Sequence, residues 1–518
     1  MRKAFKKLLA TLLALAMVCA LAAPVFAADT TENLGTHSFK AYQIFTGTVS
    51  FKAGELDLRL SNANWGDGVN SKDLLAALAG ATFKGTTFNT SMSPAKVVEE
   101  MAKLNTSDAI TFARLAYANK TNATNKAIVS NKNISFTEDG YYLIVDTTQA
   151  PSSANNFSVL VLGKNGTSIP LKEKVVKPSV EKWVEESSGN WLKNADHAVN
   201  EKFKFKVVAT LPESTTNAYD YYEEYQAVIT DFLASVYSYD PNSFSVTLTS
   251  DNHSITVTKD TDYSFTEHST NSGILGKSLE FSFADLKKIS GLDLNKGATI
   301  EITYDAYLND GAVYTTESHT ITNARDNVSY VSLTYSHDPN EGTPTFTDKD
   351  YVYVLTYGVQ NTKYKDTETA GNELKGAQFK LYTDNTYTNE VKLYKSSANS
   401  YHPVGTSGKQ PAEYMESGDN GKFDIVGLDA GTYYLRETKA PDGYNTCEPI
   451  KIEINASFAK GEVYLTNAKG MVNKIVDYSG VVLPSTGGIG TTIFYVVGGL
   501  LMVGAAVLLV TKKRMQKN

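Results

Sequence analysis

Cysteine is almost missing. The 518-residue chain holds two, Cys19 and Cys447, and Cys19 lies inside an apolar N-terminal run of the kind removed on export. What remains cannot close an intramolecular disulfide, although exported proteins often rely on them. Cys447 reads as a small, half-buried apolar residue. Histidine is scarce too: seven are scattered without an HExxH pair or other zinc spacing. No Walker loop, GxSxG elbow or CxxC pair occurs, which removes the common nucleotide, hydrolase and thiol-redox chemistries. Asp419-Asn420-Gly421 lacks the ligands that would follow in an EF-hand and reads as a hairpin turn. No cofactor is expected, and no metal. A basic surplus is lacking as well. The formal net charge of −7 conceals eight basic residues in two acid-free terminal segments, so the interior carries −15. That sign excludes a nucleic-acid groove.

What is present is an ordinary globular balance, 42% hydrophobic and 20% charged, on a chain long enough for about three or four domains. The first 27 residues join Arg2, Lys3, Lys6 and Lys7 to an apolar run from Leu8 to Ala23, with Val25 and Ala27 where a signal peptidase reads. This predicts a cleaved signal peptide over 1–27. Near the other end, Ile489 to Val510 is 22 residues without a charge, about 33 Å as a helix and enough to cross a bilayer. Lys512, Lys513, Arg514 and Lys517 follow, a basic tail that stays cytoplasmic. The span with its tail occupies 488–518, and everything between the two segments is exported.

The interior divides by pattern. Across 28–175, helical stretches at Leu74–Leu78 and Val97–Ala102, the second opened by Ser93-Pro94, alternate with strands at Phe39–Phe45, Tyr141–Val145 and Phe157–Leu162. An α+β domain is expected there. From about 176 onward β-branched and aromatic strands separated by turn residues dominate, which predicts two β-sandwiches, 176–339 and 340–478. The turn-rich stretch Ser336–Pro344 reads as the linker between them. The fold class is therefore multidomain and mainly β, an α+β domain followed by two immunoglobulin-like sandwiches and a membrane helix.

Immediately before the apolar span stands Leu483-Pro484-Ser485-Thr486-Gly487, within 479–487. This resembles the LPxTG cell-wall sorting signal of Gram-positive bacteria. The resemblance implies a sortase that cleaves between Thr486 and Gly487, holds Thr486 as a thioester and passes it to an amine. The segment Gly431-Thr432-Tyr433-Tyr434-Leu435-Arg436-Glu437-Thr438 through Tyr444 is similar to the E-box of Cna B-type domains, and Leu374–Phe379 to the segment after that domain's first strand. Pro178–Lys182 and Tyr335–Asn340 resemble the isopeptide-forming second domain of backbone pilins. The chain as a whole resembles a major, or shaft, pilin.

Side-chain parity bears on the chemistry independently, because alternate residues of a strand share a face. Glu437 falls on the face of Tyr433 and Leu435, Lys363 on that of Tyr357 and Val359, and Asn467 on that of Val463 and Leu465. Isolated in an apolar core such groups would be costly. The family resemblance implies that they meet in a spontaneous Lys363–Asn467 isopeptide bond, with protonated Glu437 as the promoting acid and ammonia leaving. Burial lowers a lysine's pKa and raises a carboxyl's, so both can be neutral, and a neutral amine is a nucleophile. In the middle domain the resemblance implies Lys182 as nucleophile, flanked by Val180 and Val184, with Asp231 as acid on the face of Ala227 and Ile229. Glu301 and Asp305 lie on the face opposite Ile300, Ile302 and Tyr304. Ser329 stands where the family carries its asparagine. Asn327 is the nearest substitute and Asn323 the next.

A shaft pilin also needs an acceptor lysine. The family's Tyr-Pro-Lys motif is absent, and Ile169-Pro170-Leu171-Lys172 sits in its place, with Lys174 and Lys177 behind. Lys172 is the expected acceptor. Expected partners are a sortase, identical subunits, tip and base pilins, peptidoglycan or its precursor, and the membrane only before sorting. The expected protein is structural, its only catalysis single-turnover self-crosslinking, and it ends covalently attached to the wall. The alternative is a singly anchored adhesin or pilus base subunit.

Overall fold

The computed structural model describes residues 38–51, 58–124, 126–130, 133–147, 158–170, 177–187, 189–214, 217–271, 273–317, 319–320, 327–340, 344–459, 462–465, 468–480 and 489–515. The signal segment therefore lies outside the described residues.

In the N-terminal domain a four-stranded antiparallel sheet runs in the order Leu58–Trp65, Phe39–Phe51, Gly140–Asp146, Ser158–Gly163. The helices Ser71–Gly80, Pro94–Met101 and Thr106–Ala118 cover one face, where Leu74, Leu78, Phe112 and Ala116 meet Phe45 and Leu143. The small sheet Ala127–Ser130, Asn133–Phe136, Ser168–Pro170 covers the other, where Ile134 and Phe136 meet Tyr142 and Ile144. Gly140–Asp146 is thus buried along its whole length, which explains an unbroken apolar run where a half-exposed strand would alternate. Ser93 caps its helix by accepting from the Lys96 N–H at 3.3 Å. The helix Thr106–Ala118 is absent from the sequence reading. Its signal is Asn105, whose side chain accepts from the Asp108 N–H at 2.9 Å.

The middle domain is a sandwich of two seven-stranded sheets. In one, Ser179–Ser187 pairs with Phe203–Leu211, which pairs with Ala298–Leu308. In the other, Ala227–Ala234 lies between Leu275–Phe283 and Val328–Ser336. Strict alternation along Phe203–Leu211 and Ala298–Leu308 points every second residue into one core.

The handover to the next sandwich differs from the sequence reading. Pro344–Phe346 and Asp350–Leu355 both pair with Val328–Ser336 of the middle domain, and Asp350–Leu355 also runs parallel to Asn194–Asp196. The boundary falls at Thr356, not in the Ser336–Pro344 turns. Turn residues mark where a chain reverses, and here the reversal returns to the same sheet.

The C-terminal sandwich has a five-stranded sheet containing Tyr357–Lys365, with Asp424–Leu428 on one side and Val472–Asp477 on the other. Facing it is a four-stranded sheet containing Gln378–Tyr382, Gly431–Lys439 and Ile450–Ile454. Phe379, Phe423 and Ile425 fill the space between. The two sandwiches interlock: His319–Thr320 pairs with Glu462–Leu465, the Val199 N–H donates to the Gly427 carbonyl at 2.9 Å, and the Thr406 N–H to the Asn200 carbonyl at 2.7 Å. The helix Ile489–Met515 follows, and Ile493–Met515 has a mean hydropathy of 2.6 with its apolar side chains exposed. By length and composition it can cross a membrane.

Candidate functional site

Two fully buried lysines, one per sandwich, are the chemical centres. Lys363 lies on Tyr357–Lys365, which runs parallel to Val472–Asp477 with Lys363 opposite Ile475 and Lys365 opposite Asp477. Asp477 therefore shares a face with Ile475, one diagonal step from the lysine. Lys363 Nζ hydrogen-bonds Asp477 Oδ1 and lies 3.1 Å from Glu437 Oε2, which comes from the opposite sheet. All three side chains are wholly shielded from water. The Phe379 ring closes the site 5.3 Å from the amine.

The electrostatics follow from burial. Desolvation pushes the Asp477 carboxyl up to about 6, and Glu437 beside it pushes the same way against the pull of Lys363. Glu437 Oε2 also accepts the Cys447 N–H at 2.7 Å, which fixes its carboxyl toward the amine. Burial raises the Cys447 thiol to about 12, so it stays protonated and unreactive. Glu437, Cys447 and Asp477 bring possible ligand atoms within 4.8 Å of one another, but the Lys363 amine already engages both carboxylates.

The sequence reading pairs Lys363 with Asn467. The structure brings Asp477 to the lysine, and Asn467 lies outside the described residues. The strand used to orient Asn467, Glu462–Leu465, is half of a hairpin with Ala456–Ala459 and joins His319–Thr320. It is not the strand beside Lys363. The parity of Asn473, Ile475 and Asp477 could have pointed to the aspartate.

In the middle domain Lys182 Nζ hydrogen-bonds Asp231 Oδ1 across the two sheets and lies 3.0 Å from Tyr304 Oη. The Tyr304 hydroxyl donates to Asp231 Oδ2 at 2.6 Å, and the Phe205 ring lies 4.2 Å from the amine. Burial lowers Lys182 to about 8 and raises both Asp231 and the Tyr304 phenol. The Lys182 and Asp231 expected from sequence therefore meet. Asn327 does not join them. Held at φ 49°, it accepts from the Val313 N–H at 2.8 Å and donates to the Val313 and Val354 carbonyls at 2.8 and 2.9 Å. Both its amide hydrogens and its carbonyl oxygen are engaged in pinning the connection between the sandwiches. Ser329, in the expected asparagine position, donates to the Phe232 carbonyl at 2.6 Å. Asn323 lies outside the described residues. Glu301 is exposed, and Asp305 pairs with Lys202 and Lys204 at 3.0 and 2.5 Å on the outer face. Tyr304 carried no role in the sequence reading beyond facing inward, because a core tyrosine is usually just filler.

Of the acceptor lysines, Lys177 is exposed at the start of the middle domain, while Lys172 and Lys174 lie outside the described residues, as do Leu483, Pro484, Ser485, Thr486 and Gly487.

Residues 360–469 match the SpaA prealbumin-like fold domain, and residues 476–517 match the LPXTG cell wall anchor motif. No curated protein matches by sequence. Among solved structures, the T6 backbone pilin of serotype M6 Streptococcus pyogenes is similar over 87% of this chain and 98% of its own, at 14% identity and a TM-score of 0.50. The chain is an LPXTG-anchored surface protein with the fold of a backbone pilin. The pilus 2b backbone protein of group B streptococcus is 22% identical, covering 59% of this chain and 99% of its own at a TM-score of 0.39. The full-length major pilin SpaD of Corynebacterium diphtheriae is 17% identical, covering 71% and 86% at 0.42. With its anchor motif ahead of an apolar helix, this pilin-like chain is a sortase substrate: a membrane-anchored precursor that becomes attached to the cell wall.

Proposed function

We propose that the chain is the backbone subunit of a sortase-assembled covalent pilus on a Gram-positive cell. The acyl group of Thr486 passes to a lysine of the next subunit, with Lys172 first among Lys172, Lys174 and Lys177. Each subunit welds its C-terminal sandwich through an amide between Lys363 and Asp477. The observation that carries this reading is the shielded contact of Lys363 with two carboxyls, one on the neighbouring strand and one on the facing sheet.

The condensation balances with the groups at hand. The lone pair of the Lys363 amine attacks Cγ of protonated Asp477, forming the C–N bond. Glu437 takes a proton from the nitrogen and returns one to the departing hydroxyl, which leaves as water. Water is the leaving group because the acyl partner is an aspartate; an asparagine would release ammonia. The amide joins two strands whose reacting residues stand 114 positions apart. By analogy with disulfides, closing a loop of that length stabilises by roughly 4–5 kcal/mol. Tension entering one strand leaves by the other without unravelling the sequence between them, a task that a chain without cystines must meet some other way.

Two measurements test this. Cells boiled in detergent should yield a high-molecular-weight ladder of this protein, lost in the variant of the acceptor lysine. A single monomer band would mean a singly anchored protein. Peptide mapping should recover Lys363 joined to Asp477, short by one water, and Glu437→Gln should leave the two peptides separate.

A further inference from the structure

The joint between the two sandwiches gathers carboxylates with little positive charge to balance them. Asp196 ends the strand Asn194–Asp196, opposite Leu355 on the strand that leads into the C-terminal sandwich. Around it stand Glu186 and Glu201 of the middle sandwich and Asp429 of the C-terminal one. Each of these three engages one oxygen with a backbone N–H. Glu186 Oε2 accepts from Asp196 at 2.9 Å, Glu201 Oε2 from Ala198 at 2.8 Å, and Asp429 Oδ1 from Ala430 at 2.8 Å. Among the described residues no lysine or arginine pairs with any of the four carboxylates. The basic group present is His197, whose Nδ1 lies 3.5 Å from Glu201 Oε1 and whose Nε2 meets the Glu185 carbonyl at 2.7 Å. Two oxygens at the same place have no hydrogen-bond partner. Asp196 is 4% exposed and Tyr357 0%, yet Asp196 Oδ2 and the Tyr357 hydroxyl both lack one. Burial, and then Asp196, Asp429 and Glu186 beside it, raise the Tyr357 phenol, so its oxygen belongs to the cluster. Buried oxygens in native structures nearly always find a partner.

We propose that this joint binds a calcium ion, with Asp196 and Asp429 as ligands from the two sandwiches and Glu186, Glu201 and the Tyr357 hydroxyl as further oxygen donors. The chemistry of the donors selects the ion. Calcium takes about six to eight oxygens in flexible geometry and accepts carboxylates, carbonyls and water among them. Magnesium demands a compact octahedron, and zinc or copper prefers imidazole and thiolate. Among the described residues, Glu437, Cys447 and Asp477 are the set of three whose ligand atoms lie within 4.8 Å of one another. The carboxylates of the joint stand wider apart, so an ion captured between them would draw the sandwiches together as it neutralises them. An acidic joint that repels itself when empty and closes around a cation gives an exported chain a stiffness set by its surroundings. This inference depends neither on the amide at Lys363 nor on polymerisation.

The test uses the full-length chain in detergent, stripped with EDTA and titrated with calcium chloride in a calorimeter. Titration at about pH 8.5 lies above the range in which Glu186 and Asp429 hold protons. A single ion should bind with a dissociation constant of roughly 0.1–1 mM, the range of extracellular calcium modules. Binding should also raise the melting temperature and slow proteolysis of the connection around Thr356. Asp196→Asn and Asp429→Asn keep side-chain size, and each should weaken calcium binding at least about tenfold, because affinity follows ligand charge. Asp429→Asn also relieves repulsion, so without calcium it should melt no lower than the wild type, and its lost response would not reflect a failure to fold. Glu301→Gln, on the exposed outer face, should bind calcium as the wild type does. Absence of calcium binding overturns the inference. So does binding that survives both joint variants, which would place the ion elsewhere, and so does an equal response to magnesium chloride, which would mark general charge screening.

Discussion

At the scale of single residues, the informative positions are polar groups in apolar surroundings. An unpaired buried charge is costly, and removing one partner of a buried pair typically costs about 3–5 kcal/mol. Lys363→Ala should therefore lower stability even in chains where the amide has not formed, whereas Glu437→Gln should remove the link at smaller structural cost. Comparing the melting curves of the two variants separates packing from crosslinking. Asn327 makes the opposite prediction to the one its sequence position suggests. Asn327→Ala should leave the mass deficit untouched but destabilise by about 2–4 kcal/mol, because three backbone groups lose a partner and alanine is strained at its φ of 49°. Denaturant unfolding followed by intact mass reads both outcomes. An altered mass would return Asn327 to the crosslink.

At the scale of elements, strand identity decided which buried groups meet. Parity read correctly that Lys363, Glu437, Lys182 and Asp231 face inward, because alternation is a local property of a strand. It could not say which strand lies beside which. Asn467 follows an alternating strand and Asp477 ends another, and only sheet order distinguishes them. The same holds at the joint between sandwiches, where Gly427 sits at φ +90° with a Cβ position 2.5 Å from Val199 Cγ2. Any side chain there collides with Val199 in the connection it must meet, and the backbone conformation favours glycine. Gly427→Ala should loosen the joint while leaving both sandwich cores folded. Limited proteolysis should then cut the connection around Thr356 faster than in the wild type, and unchanged cleavage would mean that this contact is dispensable.

At the scale of the whole molecule, the joint carries an unusual charge cluster. Asp429 of the C-terminal sandwich faces Asp196, His197 and Glu201 of the middle one, with Glu186, Tyr357 and Tyr433 close by. Burial, reinforced by the carboxylates around them, pushes Asp429 up to about 8 and Glu186 up to about 7. In the unfolded chain both titrate near about 4. The folded state thus holds protons that the unfolded state releases, and stability must fall as pH rises from about 4 toward 8. His197, raised because its hydrogen bond and charge attraction to Glu201 outweigh burial, acts in the same direction. Glu201, lowered chiefly by its hydrogen bond to His197 despite burial, acts oppositely and only at the acidic end. The joint should melt a few degrees higher near about pH 5.5 than near about pH 8.5, and Asp429→Asn should flatten the difference. Scanning calorimetry of the full chain at the two pH values checks this; a flat or inverted profile would show that the cluster is solvated.

The exported, anchored, mainly β character of this protein was written in its linear order. Hydropathy, strand alternation and a five-residue sorting motif are local signals, readable without knowing what packs on what. So was the inward aim of the buried lysines and acids. The tertiary structure alone decided that Asp477 meets Lys363, that Asp231 and Tyr304 enclose Lys182, that Asn327 serves the joint, and that the sandwich boundary lies at Thr356. Each is a contact between segments far apart in the chain, set by sheet order and register, and no periodicity within a segment encodes which distant partner it will face.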